Sequence, residues 1–177
     1  MAAELNAKRL EILRDTIPGL QRVAIIANPE HPGSQIERTY SEETARKLGL
    51  TTEFFGTATD GQLTSALGAM DKSPPQAISL FADGFAIQYR RRIIDYGMKH
   101  RAPIISGWPV FARSGAICSY GPKLSESYRR LALRNSAIGI ANRTADKIRD
   151  CSESEDREGP GLTVPDSIIA SADELIE

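Results

Sequence analysis

The chain of 177 residues has no long apolar run, few cysteines and histidines, and no excess of either charge. Lys and Arg number 22 against 23 Asp and Glu, so there is no basic field to hold nucleic acid. No segment approaches the roughly 20 apolar residues of a membrane span, and the charged start MAAELNAKRLEILRD is unlike a signal peptide. We therefore expect a soluble chain, cytoplasmic as written, with no nucleic-acid partner.

Cysteine and histidine, which often carry catalysis or bind metals, are also scarce. Cys118 and Cys151 lack CxxC spacing and neighbouring histidines, which argues against a zinc site or a thioredoxin-like pair. Free thiols are favoured for them, and a disulfide stays open. The histidines are His31 and His100, and the chain has no GxSxG elbow, HExxH motif, GxGxxG motif or P-loop. The sequence therefore predicts no catalytic residue, no metal site and no cofactor.

What the sequence does contain is a series of short apolar runs rich in β-branched residues. They are Arg22 to Ala27, Thr51 to Thr57, Ala77 to Ala82, Pro103 to Gly107 and Ala116 to Tyr120. Segments of helical periodicity, long enough for crossovers between parallel strands, separate the first four. Runs such as VAIIA are apolar at nearly every position, as expected where helices cover both faces of a sheet. The sequence predicts an α/β fold, a three-layer Rossmann-like (flavodoxin-like) parallel sheet of about five strands with helices on both faces.

The same patterns divide the chain into a lobe, a linker and a tail. The predicted lobe spans residues 1–148, opening with a helix from about Glu4 to Thr16 and closing with a long helix from about Ser125 to Lys147. The charged stretch RDCSESEDREGPG, rich in turn formers, predicts a polar linker over residues 149–161. Apolar residues at helical spacing then predict a docked helical tail over residues 162–177.

In an open parallel sheet, ligands bind beyond the carboxyl ends of the strands, so the turns there are the candidate site. After the first strand, Ser34 and Glu37 have capping-box spacing, and this turn either caps its own helix or holds a ligand carboxylate. Asp83 follows the third strand and can cap the next helix or face a ligand amine. Trp108 follows the fourth strand and either stacks on a flat ligand or packs in the core. Tyr120 adds an aromatic ring with a polar tip at the same edge.

Taken in order, these segments resemble a known family. KRLEILRDTIPGLQRVAIIANPEHPGS, ETARKLGL and AISLFADGFAIQYRRRIIDYGMKHRAPIISGWPVFARSGAICSYGP are similar in order and spacing to ABC-type substrate-binding proteins related to the tryptophan and tyrosine importers. The resemblance runs from about Glu4 to about Lys147 and returns in the closing GLTVPDSIIASADELIE. It implies the C-terminal lobe of a periplasmic binding protein-like molecule. In that family two Rossmann-like lobes close around a small ligand, commonly an aromatic amino acid, and deliver it to an ABC permease.

Carried over by position, the resemblance implies a set of ligand-facing residues in the turns. They are Asn28, Pro29, Ser34, Ala82, Asp83, Phe85, Trp108 and Tyr120. It also implies a periplasmic or lipid-anchored location for the relatives. The chain departs from the family pattern in two ways: the first lobe is missing before Met1, and a short polar stretch around Cys151 to Gly159 replaces the usual junction to the C-terminus.

Two functions follow from this pattern. The leading one is a solute-binding lobe of an ABC importer substrate-binding protein, for a small amino-acid-like ligand, lacking its first lobe. Such a lobe would bind weakly alone, and a homodimer across the ligand face or an uncovered sheet edge could supply the second wall. The alternative is a cytoplasmic flavodoxin-like interaction or regulatory module, or a truncated remnant, without transport activity. The missing catalytic constellation disfavours an enzyme acting on a small acid.

Overall fold

The computed structural model describes residues 2–122, 147–152 and 174–176, with side-chain burial described over residues 4–121. The described helices are α1 (Ala2–Thr16), α2 (Ser34–Lys47), α3 (Asp60–Lys72), α4 (Gly84–Gln88), α5 (Arg90–His100) and α6 (Pro109–Ala112). The described strands are β1 (Arg22–Ala27), β2 (Thr51–Gly56), β3 (Ala77–Leu80), β4 (Ile104–Ser106), β5 (Cys118–Pro122), β6 (Lys147–Ser152) and β7 (Glu174–Ile176). None of the helices in these ranges is long and apolar enough to cross a membrane.

The strands form one sheet in the order β2-β1-β3-β4-β5-β6-β7. Strands β1 to β5 pair in parallel, with Val23 opposite Thr52 on one side and Ala77 on the other. Each parallel pair is joined through a helix, as parallel strands require. This parallel unit confirms the predicted α/β, Rossmann-like fold, and its order 2-1-3-4-5 is the flavodoxin-like one.

Beyond β5 the structure differs from the sequence-based prediction. Lys147–Ser152 is a strand antiparallel to β5, although the pattern predicts a helix end and a polar linker there. Glu174–Ile176 is a strand parallel to β6, although a helix is predicted. The open edge of a sheet presents unpaired main-chain N–H and C=O groups. A segment can therefore pair with this edge through its own main chain, even when its side chains show no strand-like apolar pattern. The rest of the predicted long helix, linker and tail lies outside the described residues.

Two helical layers bury the parallel unit from opposite sides. Successive strand residues point to opposite faces, and neighbouring Val23 and Ala24 accordingly belong to different core clusters. Leu13 of α1 packs in the cluster of Val23, whereas Leu63 of α3 and Ile93 of α5 pack in that of Ala24. All five are buried, and each large one contributes about 1.5–3 kcal/mol by leaving water.

The C-terminal ends of β1, β3, β4 and β5, with the turns that follow them, make up what we call the carboxyl edge. Helix α1 ends at Thr16, shortly before β1 begins, so its last turn lies at the opposite edge. Its first turns therefore lie at the carboxyl edge, beside the start of α2, and α1 and α2 are in contact. This arrangement places residues from α1 next to the turns predicted to face a ligand.

Candidate functional site

Asp83 organises the turn after β3. Its Oδ1 accepts a hydrogen bond from the backbone N–H of Ala86 at 3.0 Å, which caps α4 as the sequence predicts. Its Oδ2 accepts from the backbone N–H of Asn28 at 3.3 Å. The side chain is only 5% exposed. Asp83 therefore joins the turn after β3 to the turn after β1, and its contact with a ligand amine stays a prediction.

Trp108 joins the turn after β4 to Asp83. Its indole Nε1–H donates to the backbone oxygen of Asp83 at 3.0 Å, and its backbone N–H donates to Ser106 Oγ at 3.2 Å. Pro109 then opens α6, where its fixed φ suits the first helical position. The indole is half-buried, so one edge is held by the protein while part of the ring is open to solvent.

Trp108 and two aromatic residues near the hydrogen bond to Asp83 are half-buried. Phe85, Tyr89 and Trp108, which we call the aromatic patch, all pack against the core cluster beneath α4 and α5. The ring centroids of Phe85 and Tyr89 are 4.6 Å apart. Tyr89 is absent from the sequence-based set, although its spacing of one helical turn from Phe85 is the signal that could have found it. The patch offers partly exposed aromatic surface next to polar main-chain groups.

The start of α2 corrects the predicted capping box. The N-cap is Gly33, with φ of 89°, and no side chain caps the helix. Ser34 is the first helical residue and is buried, one position too late to act as the cap. Glu37 is buried as well, and its Oε2 accepts a hydrogen bond from Asn6 Nδ2 at 2.7 Å. The capping box is wrong because the left-handed backbone of glycine makes the turn that a serine cap would otherwise make.

The turn between β1 and α2 is held by its own polar groups. Asn28 Oδ1 accepts from the backbone N–H of Glu30 at 2.9 Å, which forms an Asx turn. Asn28 is half-buried and Pro29 exposed. A Cβ added at Gly56 would lie 3.3 Å from Pro29 Cγ, so Pro29 covers the end of β2. With the half-buried Ala82, these residues complete the part of the predicted set that lies at the carboxyl edge.

Tyr120 belongs to the predicted set, but the structure does not bring its side chain to the surface of this edge. Its side chain is 0% exposed and packs in the core cluster beside Leu5 and Leu10 of α1. Side chains alternate along β5, and Cys118 and Tyr120 both point to the face that α1 covers. Tyr120 therefore contributes its backbone oxygen to the edge, while its ring serves the core.

Arg9 of α1 lies directly beneath the edge and is absent from the sequence-based set of site residues. It is 1% exposed. Its Nε donates to Tyr120 O at 2.8 Å, and its Nη1 donates to Leu80 O at 2.9 Å and also to Asn6 Oδ1. Burial lowers the pKa of Arg9 to about 10, against the opposing influence of Glu37 and Tyr120, so the guanidinium is still charged at neutral pH.

The candidate site is thus a set of linked turns suited to binding. Within residues 2–122, 147–152 and 174–176, no group of three or more His, Cys, Asp or Glu side chains could hold a metal ion. What converges at the edge is a buried carboxylate that bonds to main-chain N–H groups, a tethered indole and a half-exposed aromatic surface. These groups can bind and orient a small molecule that is partly apolar and partly polar.

The family model described as "ABC transporter substrate binding protein" matches residues 2–127. A search of the curated proteins returns no match to the sequence. Among solved structures, the chain is similar to an ABC domain from Streptococcus pneumoniae in complex with L-Trp, at 16% identity and a TM-score of 0.79, covering 97% of this chain and 62% of that one.

Two further structures are similar in fold. A conserved domain protein from Vibrio cholerae has 15% identity and a TM-score of 0.72 over 96% of this chain and 60% of its own. A LacI family transcriptional regulator from Bifidobacterium animalis has 20% identity and a TM-score of 0.64 over 84% of this chain and 59% of its own. The chain thus spans about three fifths of each of these relatives. At such identities the likeness shows the fold, a periplasmic binding protein-like α/β lobe.

The family model covers β1 to β5 and every turn of the carboxyl edge. The family is one of binding proteins rather than enzymes. Since its model covers more than half of the sequence, the chain belongs to the ABC transporter substrate-binding protein family.

Proposed function

We propose that the chain is a solute-binding lobe that holds a small amino-acid-like ligand at the carboxyl edge and catalyses no reaction on it. The observation that carries the proposal is the link through Asp83, which ties the turns after β1, β3 and β4 into one surface. Because each turn is fixed by a hydrogen bond to Asp83, the surface is formed before any ligand arrives. Preformed sites lose less entropy when they bind.

The chemistry of this surface suits an aromatic or apolar amino acid. The aromatic patch supplies rings on which a flat or apolar side chain can pack. The N-terminus of α2, which no side chain caps, presents main-chain N–H groups and a positive dipole end to a carboxylate. The relative from Streptococcus pneumoniae is in complex with L-Trp, which supports the same class of ligand here.

A second wall is needed for tight binding. Ligand pockets bury about 70–90% of a small molecule, which one open edge cannot do. The chain spans 62% of the L-Trp-bound relative, so an additional lobe or a second copy of the chain would provide the opposing surface. An ABC permease would then receive the ligand, as the family assignment implies.

Thermal denaturation with a panel of free amino acids tests the proposal. At ten times its Kd, a ligand that binds only the folded state adds about 1.4 kcal/mol, which raises the Tm of a domain this size by about 3–6 °C. We expect a saturating rise with an aromatic or large apolar amino acid. Replacement Trp108→Ala should abolish the rise, while Tyr40→Ala, at an exposed aromatic residue of α2, should preserve it.

The proposal fails if no amino acid gives a saturating rise, or if the Trp108→Ala variant binds as well as the original chain. A response to no small solute would favour the interaction or regulatory module instead. The chain contains a single tryptophan, so the indole N–H resonance of Trp108 reports independently on whether a ligand reaches the edge.

A further inference from the structure

Arg9 joins two strands that are not neighbours in the sheet. Its Nη1 bonds to Leu80 O at the end of β3, and its Nε bonds to Tyr120 O in β5, while β4 lies between them. Neither oxygen belongs to a side chain, so the fork of the guanidinium recognises the backbone itself. The span from β3 to β5 needs two donors held at a fixed separation, which is what the planar guanidinium provides.

The end of β4 is shaped to admit this guanidinium. Gly107 follows β4, and a Cβ added there would lie 2.7 Å from Arg9 Nη2 and 2.7 Å from Ala82 Cβ. The guanidinium therefore occupies the space in which a side chain at position 107 would stand. The guanidinium of Arg9 fits at the end of β4 because Gly107 has no side chain. Ala82, in the turn after β3, borders the same position.

The charge of Arg9 is balanced within the protein and does not reach the surface. Asn6 accepts from Arg9 through Oδ1 and donates through Nδ2 to Glu37 Oε2 at 2.7 Å, which links the cation to a carboxylate in α2. Asn6, Arg9 and Glu37 are all buried. An apolar side chain could fill the same volume at lower desolvation cost, so packing alone does not account for a buried cation here.

We infer that Arg9 is a positioning residue of the binding edge. It ties the end of β3 to β5 across β4, and this fixes the turn in which Asp83 accepts hydrogen bonds from Asn28 N and Trp108 Nε1. Arg9 does not touch the ligand; it acts through the turn. The effect of Arg9 on the turn can be measured without a ligand, whereas its effect on affinity rests on the proposed function.

Hydrogen exchange in the unaltered chain gives the first test. The Nε–H of Arg9 is buried and bonded to Tyr120 O, so it should exchange with solvent at least about a hundredfold more slowly than that of exposed Arg14 on the same helix. Comparable exchange rates for Arg9 and Arg14 would overturn the inference, because the bridge would then be open in solution.

Substitutions give the second test, with the Trp108 indole N–H resonance as the readout. Arg9→Met removes both bonds, and Arg9→Lys keeps the charge but cannot reach both oxygens. Each should shift the resonance and weaken ligand binding about tenfold, within the range for residues that act on a site without touching its ligand. Leu10→Ala is the matched control: it removes a buried side chain next to Arg9, lowers stability, and should leave the resonance and the affinity unchanged.

The outcomes separate the inference from the proposed function. A Trp108 resonance that is unmoved in folded Arg9→Met or Arg9→Lys overturns the inference, as does an equal shift in Leu10→Ala, which would reveal a general loss of stability. If Arg9→Met does not fold, Arg9→Lys and the exchange rates decide the matter. If no chain binds an amino acid but the resonance shifts as expected, the proposed function fails and the positioning role stands.

Discussion

Replacing Gly121 with alanine should destabilise the protein, although alanine is normally the better residue in a strand by about 0.5–1 kcal/mol. The added Cβ would lie 1.9 Å from Gly107 O and 2.7 Å from Gly107 C. These are backbone atoms and cannot rotate away. Gly107 is itself closely packed, since a Cβ added there would lie 2.7 Å from both Ala82 Cβ and Arg9 Nη2.

The ends of β4 and β5 must therefore separate by more than about 1 Å to restore van der Waals contact. Overpacking of this kind costs about 1–3 kcal/mol. In the variant, the hydrogen bond from Arg9 to Tyr120 O, next to Gly121, would be strained as well. After subtracting the intrinsic preference for alanine, we expect the free energy of unfolding to fall by about 2 kcal/mol. The Tm should fall by about 4–8 °C.

Urea denaturation, followed by circular dichroism and by Trp108 fluorescence, measures this change. The matched control is Gly68→Ala in α3, where an added Cβ meets nothing within 4 Å. There alanine should raise stability by about 0.8–1 kcal/mol, because the helix gains a better former. The reasoning is refuted if Gly121→Ala lies within about 0.5 kcal/mol of the original chain while Gly68→Ala behaves as expected.

Two further predictions concern α3 and α5. Thr59 and Gln62 form a capping box at the start of α3, so Thr59→Ala should lower the free energy of unfolding by about 1 kcal/mol in urea denaturation, and Thr59→Ser should restore it. Burial, together with Asp71, raises the pKa of Tyr96 to about 12. As pH rises, the phenol of Tyr96 therefore ionises in the unfolded chain before it does so in the folded chain. The free energy of unfolding, compared with that of Tyr96→Phe, should fall between about pH 10 and 12, and the absorbance of phenolate should rise in the same range. Equal pH profiles for the two chains would contradict this.

Most of the fold could be predicted because it depends on local patterns. Apolar runs such as Arg22–Ala27 and Ala77–Leu80 are the strands of a sheet covered on both faces, and the helices fall between them. Strands β6 and β7 could not be predicted, because β6 is mostly polar and the apolar residues around β7 have helical spacing, while main-chain pairing to the sheet leaves no pattern of its own.

The candidate site could be predicted as a set of turns but not as a set of contacts. Asp83 caps α4 as expected, since a cap and its helix are adjacent in sequence. The ring of Tyr120 lies in the core, because the face to which it points depends on where α1 packs. Trp108 is bonded to Asp83 O and is half-buried against the core, and its stacking on a flat ligand stays a prediction.

The amino-acid sequence is sufficient to predict the parallel α/β unit, the place of the turns at its carboxyl edge and the resemblance to substrate-binding proteins. These features rest on residue type and short-range spacing, which the chain displays directly. The bridge from Arg9 to Leu80 and Tyr120, and the close approach of Gly107 and Gly121, become visible in the folded protein. Such contacts join residues far apart in the chain, and α1 must pack on the sheet before a helix arginine can reach carbonyl oxygens of two strands.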